Sequence, residues 1–353
     1  VMFFDTHCDT VLKVVSGNLD FNTGEGKAHV TLPGMLSAGS CAQVFACFVL
    51  SDEHPGRERE VALGMIQTIV RMATRSEGKM KIALSASELH SACDGGPIAA
   101  LIGLEGADPL EGRAENLHYF YELGVRDLIL AWKDNPFTGT TFGRNTPLTE
   151  EGKKLVAIAE ELKVMIDVSH LSDVAFDDIC NTAKRPFIAS HSNCRALCPD
   201  RRNLTDSMVH RLAERGGVMG INLSSDFLDP VFRDKLKSYK RKVLAHKRTP
   251  KELDRFRANV GTWPCPSIDW VTRHILHAIN VGGEDCIGLG GDLDGVTSIP
   301  KGLEGIADYS KLPDLLLSAG LSTGQVEKIC YQNFKRVFCE VLPSWSGDIA
   351  ASL

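Results

Sequence analysis

The chain has 353 residues, 43% of them hydrophobic and 24% charged, an ordinary globular composition with material for a large core. A net charge of −6 and a pI of about 6.0 give no reason to expect a nucleic-acid or membrane-surface partner. No apolar run approaches the roughly 20 residues that span a bilayer, and the N-terminus lacks a basic segment followed by an apolar one, although Val1 in place of Met leaves a removed leader open.

Buried strands are expected where short apolar runs end in Gly or polar residues. The first is "VMFFDTH" (1–7), followed at once by Cys8 and Asp9. Next come "CAQVFACFVL" (41–50) and, after a helical pattern over 59–76, "PIAALIGLE" (97–105). "VRDLILAW" (125–132) leads into a Gly/Thr-rich loop, "KDNPFTGTTFGRNTP" (133–147). Thr149 then reads as the N-cap of a helix over 150–162, before "KVMIDVSH" (163–170) and "RPFIASH" (185–191). A helix over 205–216 precedes "GVMGINL" (217–223), and "CIGLGGD" (286–292) is the eighth run.

Several runs are apolar on both faces, as parallel strands covered by helices should be. Eight strands alternating with helices predict a closed (β/α)8 TIM-type barrel, with an open doubly wound sheet as the alternative. One domain over 1–353 is the simplest organisation, with residues 224–266 as an insertion between strand 7 and the helix before strand 8. Its basic run, 233–248, is either an anion site or a solvated helical excursion. The 11 cysteines form no C-x-x-C pair and sit mostly inside apolar runs, which predicts reduced core thiols and a cytoplasmic location.

Chemistry collects at the strand ends: His7 and Asp9 after the first, Glu105 after the third, His170 and His191 after the fifth and sixth, and Asp292 after the eighth. In a β/α barrel these ends share one mouth. Side chains alternate along a strand, so His7 and Asp9 point one way and Cys8 points into the barrel wall. Imidazole and carboxylate together suit zinc, or manganese or iron. Three His and two carboxylates exceed the need of one catalytic zinc, and the surplus fits two ions about 3.5–4 Å apart sharing a carboxylate. Each residue alone has a plainer reading, as a cap, a core histidine or a helix-start charge. "GLGGDLDG" (288–295) has neither the spacing of a dinucleotide loop nor that of a calcium loop.

"DTHCDT", "LIGLEGAD", "YELGVRDLIL", "MIDVSHLSD", "IASHSN" followed by "DRRN", and "GLGGDLDGV" with "PKGLEGIADYSKLPDLL" after it occur in this order, from residue 5 to "NFKRVFCEV" near residue 341. In these motifs the sequence resembles the membrane dipeptidase family, the M19 metallopeptidases, in their bacterial form. The resemblance implies an amidohydrolase-like barrel and two zinc ions per chain. His7 and Asp9 would hold one, His170 and His191 the other, with Glu105 and a hydroxide bridging them. It further implies that Arg202 grips the substrate carboxylate and that Asp292, rather than Asp294, binds the free amine or handles protons.

The expected activity is hydrolysis of free dipeptides, with a D-residue at the C-terminal position as one option. Another binuclear-metal amidohydrolase, such as an N-acyl amino acid deacylase or a lactonase, is the alternative, ahead of a non-catalytic binding protein. One departure is notable: animal members carry a His where this chain has Trp132, so the contact made by that His comes from elsewhere, from Asn135 or Arg144, or is absent, and Trp132 and Asn135 are the candidate substrate-binding residues there. The chain ends "GDIAASL", without the apolar tail of a lipid anchor, so none is expected. Homodimerisation is left open.

Overall fold

The computed structural model describes residues 1–243 and 250–345. Eight parallel strands form a closed ring: β1 (Phe3–Cys8), β2 (Ser40–Phe48), β3 (Ile98–Glu105), β4 (Val125–Ile129), β5 (Met165–Asp167), β6 (Ile188–Ala189), β7 (Val218–Ile221) and β8 (Ile287–Leu289). Each pairs with the next, β8 pairs with β1, and the β2–β3 ladder runs from Ala42↔Ala99 to Phe48↔Glu105. The barrel expectation holds and the open sheet does not.

The helices between the strands follow their sequence signals. α1 (Glu58–Arg75) presents Met65, Ile66, Ile69 and Met72 to the barrel wall. α2 (Glu150–Leu162) starts at Thr149, whose side chain accepts the Gly152 N–H. α3 (Asp173–Thr182) and α4 (Asp206–Glu214) are capped likewise by Ser172 and Thr205. These caps satisfy N–H groups that a helix start leaves unpaired. In the insertion, α5 (Pro230–Val243) and α6 (Pro250–Val260) build a small apolar cluster from Phe232, Leu236, Phe256 and Val260. The basic run is thus helical as far as Val243, and its remaining residues lie outside the described ones. α7 (Asp269–Gly282) and α8 (Asn333–Val341) complete the wall. The floor of the barrel is apolar: Phe4 packs on Phe338 with ring centroids 5.3 Å apart, beside Met165, Ile188 and Val218.

Several strands are shorter than the apolar runs suggest. β5 stops at Asp167 and β8 at Leu289, so His170 and Asp292 sit on turns beyond the ladder. Both have a left-handed backbone, φ 71° and φ 56°, a sparsely populated region for residues with a Cβ. The pleat ends before these residues because the turns re-aim their side chains. β1 likewise ends at Cys8, and Asp9 begins a short helix. Cys8 is fully buried in the hydrophobic wall, as expected, although the strand is not regular through Asp9. The tail containing "GDIAASL" lies outside the described residues.

Candidate metal centre and active site

The residues expected at the mouth converge. His7 Nε2 lies 3.3 Å from Glu105 Oε2 and 3.8 Å from Asp9 Oδ2. His170 Nε2 lies 3.2 Å from Glu105 Oε1, and His191 Nε2 lies 3.9 Å from the same oxygen. Two donor groups result, His7–Asp9–Glu105 and Glu105–His170–His191, and they share Glu105, one oxygen facing each. All five residues are at most 5% exposed.

Several atoms of this cluster are buried without a hydrogen-bond partner, among them both ring nitrogens of His7 and Asp9 Oδ1. The Nε2 atoms of His170 and His191 face each other at 2.9 Å. Buried polar atoms are rarely left unpaired, and imidazole and carboxylate donors aimed at common points fit divalent cations. The electrostatics agree. Burial lowers the pKa of His170 to about 3, with Arg202 adding to the effect, and pushes His191 well below its usual value, so both stand as neutral imidazoles, the form that can ligate a metal. Burial also opposes a charge on His7, yet Glu105, Asp9 and Asp292 together raise it to about 10. A positive charge is strongly favoured at that point.

Asp292 joins His7 and His191 on the other flank. Burial, with Glu105 nearby, raises its pKa to about 6, while His7, Arg202 and a hydrogen bond from Asn222 limit the rise. Asn222 Nδ2 donates to Asp292 Oδ2 at 2.8 Å, leaving Oδ1 turned toward Asp9 and Gly295. A Cβ on Gly295 would lie 2.0 Å from Asp9 Oδ2 and 2.4 Å from Asp292 Oδ1, so only glycine fits between the carboxylates. Asp294 points away from the donors. Its buried carboxylate accepts from Thr10 Oγ1 and the N–H groups of His29 and Val30, and it pairs with Lys13.

Arg202 is 2% exposed. Its Nη1 donates to Ser192 Oγ at 2.9 Å, and its Nη2 donates to the His191 carbonyl at 2.7 Å and lies 3.2 Å from His170 Nε2. Its Nε has no partner, and among the described residues no carboxylate forms an ion pair with the guanidinium. Trp132 is half-buried at the mouth, its ring 6.1 Å from that of His170. Asn135 braces its own loop: Nδ2 donates to the Leu130 carbonyl, and Oδ1 accepts from the N–H groups of Phe137 and Thr138. Arg144 is exposed and pairs with Asp134.

Sequence reading passes over Asn222 and Ser192. Asn222 carried a signal, since it is the polar residue next to the end of the seventh apolar run; Ser192 carried none, because its contact with Arg202 arises only when the loop after β6 folds back.

A closed β/α barrel with two carboxylate-sharing donor groups at its mouth is the architecture of a metal-dependent hydrolase. Residues 1–344 match the family model described as membrane dipeptidase (peptidase family M19), and the chain belongs to that family. It is similar to Dipeptidase 3 of Macaca fascicularis, 30% identical over 79% of this chain, which spans about half (51%) of that protein's length. Among solved structures it is similar to the M19 metallopeptidase called dipeptidase AC, 27% identical with a TM-score of 0.82 over 97% of this chain and 99% of that one. It is also similar to a metallopeptidase of Rhodobacter sphaeroides liganded with a phosphinate mimic of the dipeptide L-Ala-D-Ala, 25% identical with a TM-score of 0.82 over the same shares. The protein is a metallo-dipeptidase of family M19, which implies a metal cofactor. Among the described residues no helix is long and apolar enough to cross a membrane.

Proposed function

We propose that the chain hydrolyses free dipeptides with two zinc ions, one held by His7, Asp9 and Glu105 and the other by Glu105, His170 and His191. Bound there, the ions would supply Lewis acidity toward the scissile carbonyl and lower the pKa of the attacking water. The observation that carries the substrate reading is Arg202, a guanidinium buried beside the metal donors with no carboxylate partner among the described residues. Burying a cation without a counter-ion is costly, and a planar two-pronged donor suits a carboxylate. Arg202 holds the C-terminal carboxylate of the dipeptide. Asp292, grouped with His7 and His191, faces the substrate amine, takes the proton of the attacking water at Oδ1 and delivers it to the leaving amine; a pKa of about 6 suits that exchange. Glu105 turns one carboxylate oxygen toward each donor group and balances their charge. The dipeptide mimic bound by the Rhodobacter sphaeroides relative supports acceptance of a D-residue at the C-terminal position.

The test compares kcat/KM for a dipeptide, its C-terminal amide and an N-acetyl amino acid. The dipeptide should be the best substrate by a wide margin. Preference for the N-acetyl compound would replace this reading with a deacylase.

A further inference from the structure

The mouth carries an aromatic wall that neither the core nor the metal donors account for. Trp132 lies between Phe48 and Phe142, with ring centroids 5.1 and 5.3 Å away. Trp132 and Phe142 both lean on the His170 ring, at 6.1 and 5.5 Å. The three side chains come from the end of β2, the segment after β4 and the loop beyond it. Phe142 is 51% exposed, so a large apolar ring forgoes burial at the rim of the site.

That exposure is built in. Thr141 N–H donates to the His170 carbonyl at 2.8 Å, and Ser172 N–H donates to the Gly139 carbonyl at 3.2 Å. The Asp134 carboxylate accepts from the N–H groups of Thr140 and Arg144. A Cβ on Gly143 would sit 2.0 Å from Asp134 Oδ1, so the loop closes this tightly only because that residue is glycine. Phe142 is held out over the metal donors by a braced loop tied to a metal-ligating residue.

We propose that Trp132, Phe142 and Phe48 form the subsite for the side chain of the dipeptide's C-terminal residue and select large apolar or aromatic side chains there; this rests on the dipeptidase reading above. The direction follows from His170. Arg202, which takes the carboxylate in that reading, lies 3.2 Å from His170 Nε2, and the same imidazole carries the aromatic wall. Asp292, at the amine end, groups instead with His7 and His191 and touches Asn222. A dipeptide laid from Asp292 to Arg202 brings its C-terminal residue beside His170 and hence against the rings. Its N-terminal residue lies at the other end, where Asp292 groups with His7 and His191 and adjoins Asp9.

The experiment measures kcat/KM of the zinc-loaded enzyme on Ala-Gly, Ala-Leu and Ala-Phe, with both stereoisomers of the second residue, and on the reversed Leu-Ala and Phe-Ala. The better isomers of Ala-Leu and Ala-Phe should exceed Ala-Gly roughly tenfold or more, from burial of the side chain on the wall, and the reversed series should show no such rise. Phe142→Ala, at an exposed position, and Trp132→Ala should each cut the Ala-Phe to Ala-Gly ratio severalfold, with thermal melts confirming that both variants fold. A flat profile in active wild type, a rise that follows the N-terminal residue, or a ratio unchanged in both variants would overturn the subsite. Absence of hydrolysis for every dipeptide is a different result and would remove the dipeptidase reading itself.

Discussion

Replacing Arg202 by Lys isolates the carboxylate contact from the fold. In the wild type Nη1 is fixed by Ser192 and Nη2 by the His191 carbonyl, while the guanidinium edge adjoins His170. Lysine keeps the charge but offers a single nitrogen, so it cannot hold this framework and a carboxylate together. A hydrogen bond to a charged group contributes about 1.5–3 kcal/mol, which corresponds to roughly ten- to a hundredfold in kcat/KM. Wild type should therefore prefer a dipeptide strongly over its C-terminal amide, and Arg202→Lys should lose most of that preference by lowering the rate on the acid. Zinc content, measured in parallel because Arg202 touches His170, should not change. If the acid-to-amide ratio is unaltered while Arg202→Lys or Arg202→Ala only melts at lower temperature, then "DRRN" merely anchors its loop and Arg202 leaves the site.

Glu105→Gln should release at least one metal and most activity, since a neutral amide compensates two cations poorly; retention of both metals with normal turnover, by elemental analysis and kinetics, would remove its shared role. Gly295→Ala should weaken metal binding in chelator competition and lower kcat, because its Cβ has no room between Asp9 and Asp292; unchanged metal affinity and kcat would show that the loop yields. His274 is buried, its Nδ1 accepts the Cys194 N–H and its Nε2 faces the Leu228 carbonyl, so only the neutral ring fits. Burial lowers its pKa to about 4 against 6.5 for the free side chain, so the unfolded chain binds this proton first. Stability should then fall as pH drops from about 6.5 toward 4, by up to about 3 kcal/mol. His274→Gln should flatten that part of the denaturant-stability profile, and a variant profile parallel to wild type would refute the assignment.

The barrel was legible because doubly buried parallel strands write continuous apolar runs, and "PIAALIGLE" became β3 with all eight strand residues buried. The ends of the runs were less so. Sequence alternation extends a strand to His170 or Asp292, whereas a left-handed turn is set by tertiary contacts that leave no periodic trace. The three-residue strand Met80–Ile82, which pairs beside the start of β3, is too short to show a pattern. The convergence of His7, Glu105, His170 and His191 was readable, since each is a polar residue closing an apolar run. The aromatic wall was legible only at Trp132, which stood out at the end of its run; Phe48 and Phe142 each alone look like core, and nothing in the sequence joins them to it. The insertion's basic run likewise hid the apolar stripe of Phe232 and Leu236, which packs against Phe256 rather than facing water.

Everything proposed for the site depends on one buried carboxylate, Glu105, serving two metal ions. Elemental analysis of protein purified without chelator and reconstituted with excess zinc measures this without relying on any substrate. Close to two zinc ions per chain are expected, with His7→Ala and His170→Ala each removing one. A wild-type value near zero, or a wild type holding one ion that falls to none in either variant, would contradict the shared site.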